Sequence, residues 1–339
     1  MTGARVLITG MTGMVGSHLA DYLLAHTSWD IFGMCRWRSP LDNVSHLLPL
    51  ANKKERLFFV DGDLCDSNSL HNVVKHVNPD YVFHLAAQSF PQTSFKSSEL
   101  TLDTNINGTS RLLEALRQHA TNDPVIHVCS SSEVFGKVAK EKLPINEECS
   151  FHPASPYAIS KVGTDLLGRF HAQAYHQKVL VTRMFTHTGP RRGDVFAESS
   201  FAKQIAMIEH GNISPVIKVG NLESLRTWSD VRDAVRAYFM LVTIKPIPGA
   251  YYNIGGTHSA TVREMLNYLI SQSTCKEKIK VEIDPARIRP IDADLQVPDT
   301  RKFRQHTGWE PQISFATTMT DLLNYWRERV NSGAEFLTR

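Results

Sequence analysis

The sequence predicts an α/β fold, a Rossmann-type doubly wound parallel sheet with a smaller α/β lobe at its C-terminal side. Three observations favour this class: a glycine-rich turn after the first apolar run, apolar strands that alternate with helices, and a second half broken by prolines and glycines. Alternating strands and helices are typical of a parallel sheet covered on both faces. We expect a first domain at 1–184, a smaller lobe at 185–330 whose segments can interleave with it, and a tail at 331–339.

The beginning of the chain predicts a strand, a glycine turn and a helix. An apolar run at 5–9 is followed by T-G-x-x-G-x-x-G, with apolar residues at 19, 20, 23 and 24 behind it. Glycines permit a tight turn and let a pyrophosphate approach the positive N-terminus of a helix. Further strands are predicted at 30–35, 57–60, 81–87, 125–130 and 179–183, with helices at 105–119 and 157–175.

Composition indicates an ordinary globular protein, with 42% hydrophobic and 21% charged residues. A net charge of +3 is too small to favour binding to nucleic acid or to an acidic membrane surface. Apolar runs fall short of the ~18 residues of a membrane span, and no basic and then apolar signal segment opens the chain. Five cysteines without C-x-x-C spacing predict reduced thiols in a cytoplasmic protein. The 15 histidines form neither H-x-x-x-H nor H-E-x-x-H, so no metal site is expected.

Tyr157 and Lys161 stand four residues apart on a predicted helix, so their side chains share a face. An ammonium group close to a phenol favours the phenolate, and we expect it to lower the pKa of Tyr157 from ~10 towards neutrality. Such a phenol can take a proton from a sugar hydroxyl. Glu133, in the polar run 130–133, adds a second acid/base group, which is more than a simple alcohol oxidation requires.

Four candidate segments fall at one edge of the predicted sheet. In doubly wound sheets, ligands bind beyond the carboxyl ends of the strands. The glycine turn, Asp63, the segment 84–89 and the run 130–133 each follow a predicted strand. We therefore expect them to meet in a single site.

Arg36 and Arg38 follow the second predicted strand, where NAD enzymes usually carry an acidic residue that binds the ribose 2′-hydroxyl. Neither position 35 nor position 36 is acidic, and two guanidinium groups can bind a 2′-phosphate. We therefore predict NADP as the cofactor, with NAD as the alternative.

Several motifs, in order along the chain, carry a resemblance to a known family. They are T-G-x-x-G-x-x-G, Gly62-Asp63-Leu64, His84-Leu85-Ala86-Ala87, Asn105-x-x-Gly108-Thr109 and Tyr157-x-x-x-Lys161. Together, from residue 5 to about 326, they resemble the extended short-chain dehydrogenase/reductases that act on nucleotide sugars. Within that family, the pieces at 85–89, 131–133, 190–193, 220–228 and 289–290 are most similar to the GDP-mannose 4,6-dehydratases.

The resemblance implies that the first domain binds the dinucleotide and carries the catalytic residues Ser131, Glu133, Tyr157 and Lys161, while the smaller lobe binds a nucleotide sugar. The implied cofactor-binding residues, with Arg36 and Arg38, are Gly10, Thr12, Gly13, Met14, Val15, Gly16, Asp63, Leu64, Leu85, Ala86, Ala87, Ser89, Tyr157 and Lys161. The substrate-binding candidates are Gln88, Ser131, Thr186, Arg192, Lys203, Arg226 and Arg289. The arginines among them suit the substrate pyrophosphate, because a guanidinium group donates to phosphate through two parallel hydrogen bonds.

The reaction implied by the resemblance is an NADP-dependent 4,6-dehydration of a GDP-hexose, such as GDP-mannose, to a GDP-4-keto-6-deoxy sugar. In it, Tyr157 removes the O4 proton and Ser131 forms a hydrogen bond to O4. Glu133 removes the C5 proton and helps to expel the C6 hydroxyl as water. A homodimer or homotetramer, paired through the helices at 105–119 and 157–175, is also implied.

Two departures from the family pattern leave alternatives open. Ser131 replaces the usual threonine and preserves a hydroxyl, whereas Thr186 replaces an asparagine expected to meet the substrate. The sugar could therefore be a heptose or a deoxyhexose, and the reaction a C4 oxidation, reduction or epimerisation. Ser131 could instead only cap a turn, and Glu133 could be a solvated turn carboxylate. A non-catalytic cofactor-sensing scaffold is the alternative from another class.

Overall fold

The computed structural model of the chain describes residues 3–288, 291 and 293–333. The strands are β1 (Arg5–Thr9), β2 (Asp30–Cys35), β3 (Leu57–Asp61), β4 (Tyr81–His84), β5 (Val125–Cys129), β6 (Lys178–Met184), β7 (His187–Thr188), β8 (Val216–Val219), β9 (Leu225–Asp230), β10 (Tyr251–Ile254), β11 (His258–Thr261), β12 (Lys280–Ile283) and β13 (Leu295–Gln296). The α-helices are α1 (Met14–His26), α2 (Leu48–Asn52), α3 (Ser67–Val77), α4 (Pro91–Lys96), α5 (Ser98–Leu102), α6 (Gly108–His119), α7 (Pro156–Tyr175), α8 (Ala197–Glu209), α9 (Val231–Thr243), α10 (Val262–Ser271), α11 (Arg301–Thr307) and α12 (Phe315–Asn331).

The large sheet is parallel throughout and has the strand order β10-β6-β5-β4-β1-β2-β3. Val6, Leu7 and Ile8 of the central strand are fully buried, as a strand with helices on both faces requires. The strand order reverses between β1 and β4, so a crevice opens beyond their carboxyl ends. The predicted doubly wound sheet is confirmed.

The predicted strand at 81–87 is shorter in the structure and ends at His84. The Thr9 hydroxyl accepts hydrogen bonds from the backbone N–H groups of Leu85 and Ala86, each at 3.1 Å. These bonds take the place of hydrogen bonds to the neighbouring strands, and the chain leaves the sheet after His84. The predicted helix at 105–119 also begins differently, with a π-helical turn at Asp103–Asn107 before α6.

The second half of the chain builds a smaller lobe and also returns to the large sheet. Strand β10 pairs with β6, and α9 packs against α1, so the two lobes interleave. In the smaller lobe, β9 lies between β11 and β13 and also pairs with β7, while β8 and β12 form a separate two-stranded sheet. Helices α8, α10 and α12 enclose a second core that includes Trp228 and Trp326.

If the helices at 105–119 and 157–175 pair the subunits, we expect each to expose apolar residues that the sheet does not cover, but the two helices differ. Ile159, Leu166 and Phe170 on α7 are each about half exposed. Helix α6, in contrast, buries its leucines against the sheet and exposes Arg117 and Gln118. The expectation of an exposed apolar face is therefore wrong for α6, because its apolar residues are all needed to cover the sheet.

A buried ion pair attaches α7 to the sheet. Arg183 of β6 donates to Asp165 of α7 at 2.7 Å, and their side chains are 1% and 0% exposed. A second nitrogen of Arg183 donates to the backbone carbonyl of Glu147 at 2.7 Å. The guanidinium also lies over the Phe151 ring, 4.7 Å from its centroid. This pair therefore holds in place the helix that carries Tyr157 and Lys161.

Some features are absent from the described ranges. No helix in them combines the length and the apolar character needed to cross a membrane. The same ranges hold no group of three or more histidine, cysteine or acidic side chains arranged to bind a metal ion. All five cysteines are free thiols.

We predict that Asp165→Asn strongly destabilises the fold, because it leaves the Arg183 charge buried without its counter-ion. Breaking a buried pair in this way costs about 3–5 kcal/mol, which urea unfolding would measure. The matched control is Asp123→Asn, which removes an exposed pair with Lys178 (42% and 66% exposed) and should cost under about 1 kcal/mol. Equal effects of the two substitutions would contradict the role given to the buried pair.

Candidate active site

A cleft of about 1180 Å³ lies beyond the carboxyl ends of the parallel strands, between the large sheet and the smaller lobe. It brings together the glycine turn, Asp63, the segment 84–89 and the run 130–133, which the sequence placed at one edge. Side chains from β9 and α8 of the smaller lobe complete its wall. The arrangement suits a long ligand that extends from one lobe to the other.

The glycine turn has the geometry of a phosphate cradle. Gly10 has φ +72° and lies so close to the segment after β4 that a Cβ atom would be 2.8 Å from the Ala86 Cα. Gly13 caps α1 without a side chain, so the N–H groups of its first turn open to the cleft. This end of the cleft therefore fits the pyrophosphate of a dinucleotide.

Arg36 and Arg38 are exposed side chains in the wall of the same part of the cleft. Neither forms an ion pair with another residue that the structure describes. Ser39 lines the cleft beside them. Two unengaged guanidinium groups at this point fit a 2′-phosphate.

His84 holds the segment after β4 in place. Its Nδ1 lies 2.9 Å from the Thr9 hydroxyl and its Nε2 lies 2.9 Å from the Thr109 hydroxyl. Thr109 donates to the Asn105 carbonyl, so it must accept from Nε2–H of His84. Burial, with a smaller effect from Lys161, lowers the pKa of His84 to about 3, so the imidazole is neutral and has one tautomer.

Asn105 joins this segment to α7. Its Oδ1 accepts from the Gln88 backbone N–H at 2.8 Å, and its Nδ2 donates to the Gln88 carbonyl at 3.0 Å. The same Nδ2 donates to the Ser160 hydroxyl at 2.8 Å, and Ser160 donates to the Tyr157 carbonyl. The sequence motif contains Asn105, but only the fold shows which groups it connects.

Tyr157 and Lys161 both line the cleft, but they do not interact as the sequence predicted. Burial raises the pKa of Tyr157 above its ordinary value, and the hydrogen bond with Ser131 opposes that rise only in part. The Lys161 ammonium donates to the Cys129 carbonyl at 2.7 Å. The expected fall in the pKa of Tyr157 is therefore wrong for this geometry, because burial, with a smaller effect from the charge of Glu133, raises the pKa more than Ser131 and Arg192 lower it.

Ser131 and Glu133 form one rigid unit at the end of β5. The Ser131 hydroxyl accepts from the Glu133 backbone N–H at 3.2 Å and so caps the 3₁₀ turn Ser132–Phe135. The Glu133 carboxylate lies 3.4 Å from the Arg226 guanidinium of β9, and both side chains are 14% exposed. Glu133 is therefore a cleft carboxylate held by the smaller lobe, not a solvated turn residue.

Arg192 extends into the cleft from the loop after β7. Its Nε donates to Glu198 at 3.0 Å, and its guanidinium stacks on the Phe196 ring, 3.4 Å from the centroid. The preceding Arg191, with φ +69°, donates to Asp21 of α1 at 2.7 Å. The loop that presents Arg192 is thus anchored to the helix that begins at the glycine turn.

The described structure brings nearly all the predicted site residues to this cleft. Those that line it are Gly10, Thr12, Gly13, Met14, Val15, Gly16, Arg36, Arg38, Asp63, Leu64, Leu85, Ala86, Ala87, Gln88, Ser89, Ser131, Glu133, Tyr157, Lys161, Thr186, Arg192 and Arg226. Lys203 is not in the cleft wall, because its ammonium is buried on α8 and pairs with Asp194 at 2.9 Å. Arg289 lies outside the described residues.

Comparison with known proteins shows the family to which the chain belongs. The family model described as GDP-mannose 4,6 dehydratase matches residues 7–322. A GDP-6-deoxy-D-mannose reductase of Pseudomonas aeruginosa is 32% identical over 96% of this chain and 98% of its own length. A GDP-mannose 4,6 dehydratase of Drosophila melanogaster is 31% identical over 94% of this chain and 84% of its own.

A solved structure of RMD from Pseudomonas aeruginosa, complexed with NADPH, has a TM-score of 0.79 to this chain at 29% identity. The match covers 96% of this chain and 99% of that one. The family model, the relatives and the solved structure all extend over nearly the whole chain. The chain is an extended short-chain dehydrogenase/reductase and belongs to the GDP-mannose 4,6 dehydratase family.

Proposed function

We propose that the protein is a 4,6-dehydratase of a GDP-hexose such as GDP-mannose, which it converts to a GDP-4-keto-6-deoxy sugar. The observation that carries this proposal is the position of Glu133. Its carboxylate lies in the same cleft as Ser131, Tyr157 and Lys161, held by Arg226 at 3.4 Å. Oxidation or reduction at C4 needs only the phenol and its partners, whereas loss of water needs a second group for the C5 and C6 protons.

Tyr157 and Glu133 would carry out different proton transfers of the reaction. Tyr157, hydrogen-bonded to Ser131, would act as the phenolate and accept the proton of the C4 hydroxyl as the alcohol becomes a ketone. A bound, oxidised nicotinamide would add positive charge to the cleft and so favour the phenolate against the effect of burial. The ketone acidifies the C5–H bond, and Glu133 accepts that proton. Glu133 then returns that proton to the C6 hydroxyl, which departs as water and leaves a double bond between C5 and C6. When C6 receives hydride, C5 takes up a proton, which the one held by Tyr157 balances. Arg192 and Arg226 lie in the cleft wall, where their guanidinium groups can bind the substrate pyrophosphate.

The cofactor best supported by the cleft is NADP, with NAD as the alternative. The turn at Gly10, Gly13 and Gly16 would hold its pyrophosphate, and Arg36 with Arg38 would hold a 2′-phosphate. When bound, the nicotinamide supplies the hydride chemistry, accepting hydride from C4 and returning it to C6. No external reductant is then consumed. We place the reaction in the cytoplasm, in keeping with the five free thiols.

The second candidate function is reduction at C4 of a GDP-4-keto-6-deoxy sugar. It is favoured by the similarity to the GDP-6-deoxy-D-mannose reductase of Pseudomonas aeruginosa. Mass spectrometry of the product formed from GDP-mannose separates the possibilities. Dehydration removes one water, C4 oxidation removes two hydrogens, and epimerisation leaves the mass unchanged, while a reductase leaves GDP-mannose untouched and adds two hydrogens to the keto sugar.

Substitutions of Tyr157 and Glu133 should stop the reaction at different stages. We predict that Tyr157→Phe blocks the first hydride transfer and lowers turnover by about 10²–10⁴-fold, the usual contribution of a general base. Glu133→Gln should still oxidise C4, so stopped-flow absorbance should show at most one equivalent of reduced nicotinamide and little product. Glu141→Gln, an exposed glutamate, is the control. Unchanged dehydration in Glu133→Gln would contradict the assignment.

The arginine pair should determine cofactor choice. We predict that Arg36→Ala combined with Arg38→Ala weakens NADP binding by about 100-fold or more, because each of the two arginines would lose a charge-assisted hydrogen bond worth about 1.5–3 kcal/mol. NAD binding should change little, since it carries no 2′-phosphate. Fluorescence titration with both cofactors measures the two effects, with Lys53→Ala, an exposed cation, as control. Equal weakening of NAD and NADP would contradict the 2′-phosphate role.

We also propose a homodimer that pairs the exposed face of α7. Ile159, Leu166 and Phe170 lie seven and four residues apart, so they form one apolar stripe on the helix. Such a stripe on a long helix is typical of a protein–protein contact.

Charge placed in that stripe should separate the subunits. We predict that Ile159→Glu gives a monomer by multi-angle light scattering, because a carboxylate would be buried without a partner. The matched control is Ile247→Glu, since Ile247 is 51% exposed and Ile159 is 49% exposed. A wild-type monomer, or dissociation by both substitutions, would contradict the interface.

A further inference from the structure

The cofactor loop, residues 36–43, follows β2 and carries Arg36 and Arg38 into the wall of the cleft. Its side chains are exposed or partly exposed throughout, so none of them is anchored in a core. A segment with few buried contacts opens at a low free-energy cost. The loop can therefore stay beside a bound ligand only if other parts of the molecule hold it there.

Two side-chain contacts hold the end of this loop, one from each lobe. Asn43 Nδ2 donates to the Thr12 carbonyl of the glycine turn at 3.1 Å. Arg329, on α12 of the smaller lobe and 287 positions further along the chain, forms an ion pair with Asp42 at 3.5 Å. All four residues line the cleft. The loop that would bind the 2′-phosphate is thus attached to both lobes.

Arg329 is held in position to make its contact with the loop. Its Nη1 donates to the Tyr325 hydroxyl at 2.9 Å, and its guanidinium carbon lies 5.9 Å from the centroid of the Trp326 ring. Trp326 is buried in the second core, and its Nε1 donates to the Ser199 hydroxyl at 2.9 Å. A surface ion pair usually contributes little, because it must fix two long side chains. Here the arginine is already fixed by its neighbours, so it gives the exposed loop a firm support.

We propose that Arg329 and Asp42 are positioning residues that hold the cofactor loop against the cleft and so slow the release of the cofactor. The inference rests on the proposed function, in which the cofactor that receives hydride from C4 must still be bound when hydride returns to C6. Neither residue needs to touch the reacting atoms. Both act through the loop that carries Arg36 and Arg38.

The test measures the rate at which NADPH leaves the protein, by stopped-flow fluorescence after addition of excess NADP and with no sugar present. Asp42→Asn and Arg329→Gln should each release NADPH about 2- to 5-fold faster than wild type, the contribution of one partly exposed ion pair. The double variant should be no faster than the faster single variant, because either substitution alone breaks the contact. Arg329→Lys, which keeps the charge, should recover part of the slow release.

Arg304→Gln is the matched control, because it removes an ion pair with Glu310 of similar exposure. The side chains of that pair are 39% and 52% exposed, against 30% and 58% for Arg329 and Asp42. Arg304 is not among the residues that line the cleft, so its substitution should leave the release rate of wild type unchanged.

Three results would overturn the inference. Slower release in Asp42→Asn with faster release in Arg329→Gln would show that the two charges act directly on the cofactor phosphate. Unchanged release in both variants would remove any role of the pair, and equal acceleration in Arg304→Gln would show an unspecific effect of lost charge. Conversion of GDP-mannose is measured separately. If wild type does not dehydrate it, the proposed function fails, while the release rates still decide whether the pair holds the loop.

Discussion

The attachment of α7 to the sheet is the constraint on which the site depends. Asp165 and Arg183 are paired in the core at 2.7 Å, in a position where either charge alone would be strongly unfavourable. One turn above, the Lys161 ammonium donates to the Cys129 carbonyl and the Ser130 hydroxyl donates to the Lys161 carbonyl. These contacts join α7 to β5 and β6, so the phenol of Tyr157 has one position relative to the end of β5.

The second constraint is that the cleft is built from two lobes that hold each other. Arg226 reaches from the smaller lobe to Glu133, and Arg191 reaches to Asp21 on the helix of the glycine turn. Strand β10, which follows both arginines in the chain, then returns to the large sheet and pairs with β6. Glu133 stands on the large lobe and is held by Arg226 of the smaller lobe. Its carboxylate is therefore well placed to act on a substrate that lies between the two lobes.

The sequence predicted the local elements of the fold, but it could not predict contacts between residues that are far apart in the chain. The glycine turn, β1 and β2 follow from spacing and apolar runs, and the structure has them at the predicted positions. The partner of Lys161 could not be predicted, because Cys129 is distant in sequence and the bond uses its backbone carbonyl. Lys203 illustrates the same limit: helical spacing could not reveal that it is buried against Asp194.

We propose that Glu133 enables the enzyme to remove water from the sugar, with hydride leaving C4 and returning to C6 of the same molecule. The most direct measurement uses GDP-mannose carrying deuterium at C4, with the product examined by NMR and mass spectrometry. We expect a GDP-4-keto-6-deoxy sugar that has lost one water and retains the deuterium at C6. Deuterium lost to solvent or to added cofactor, or retained at C4 without loss of water, would contradict it.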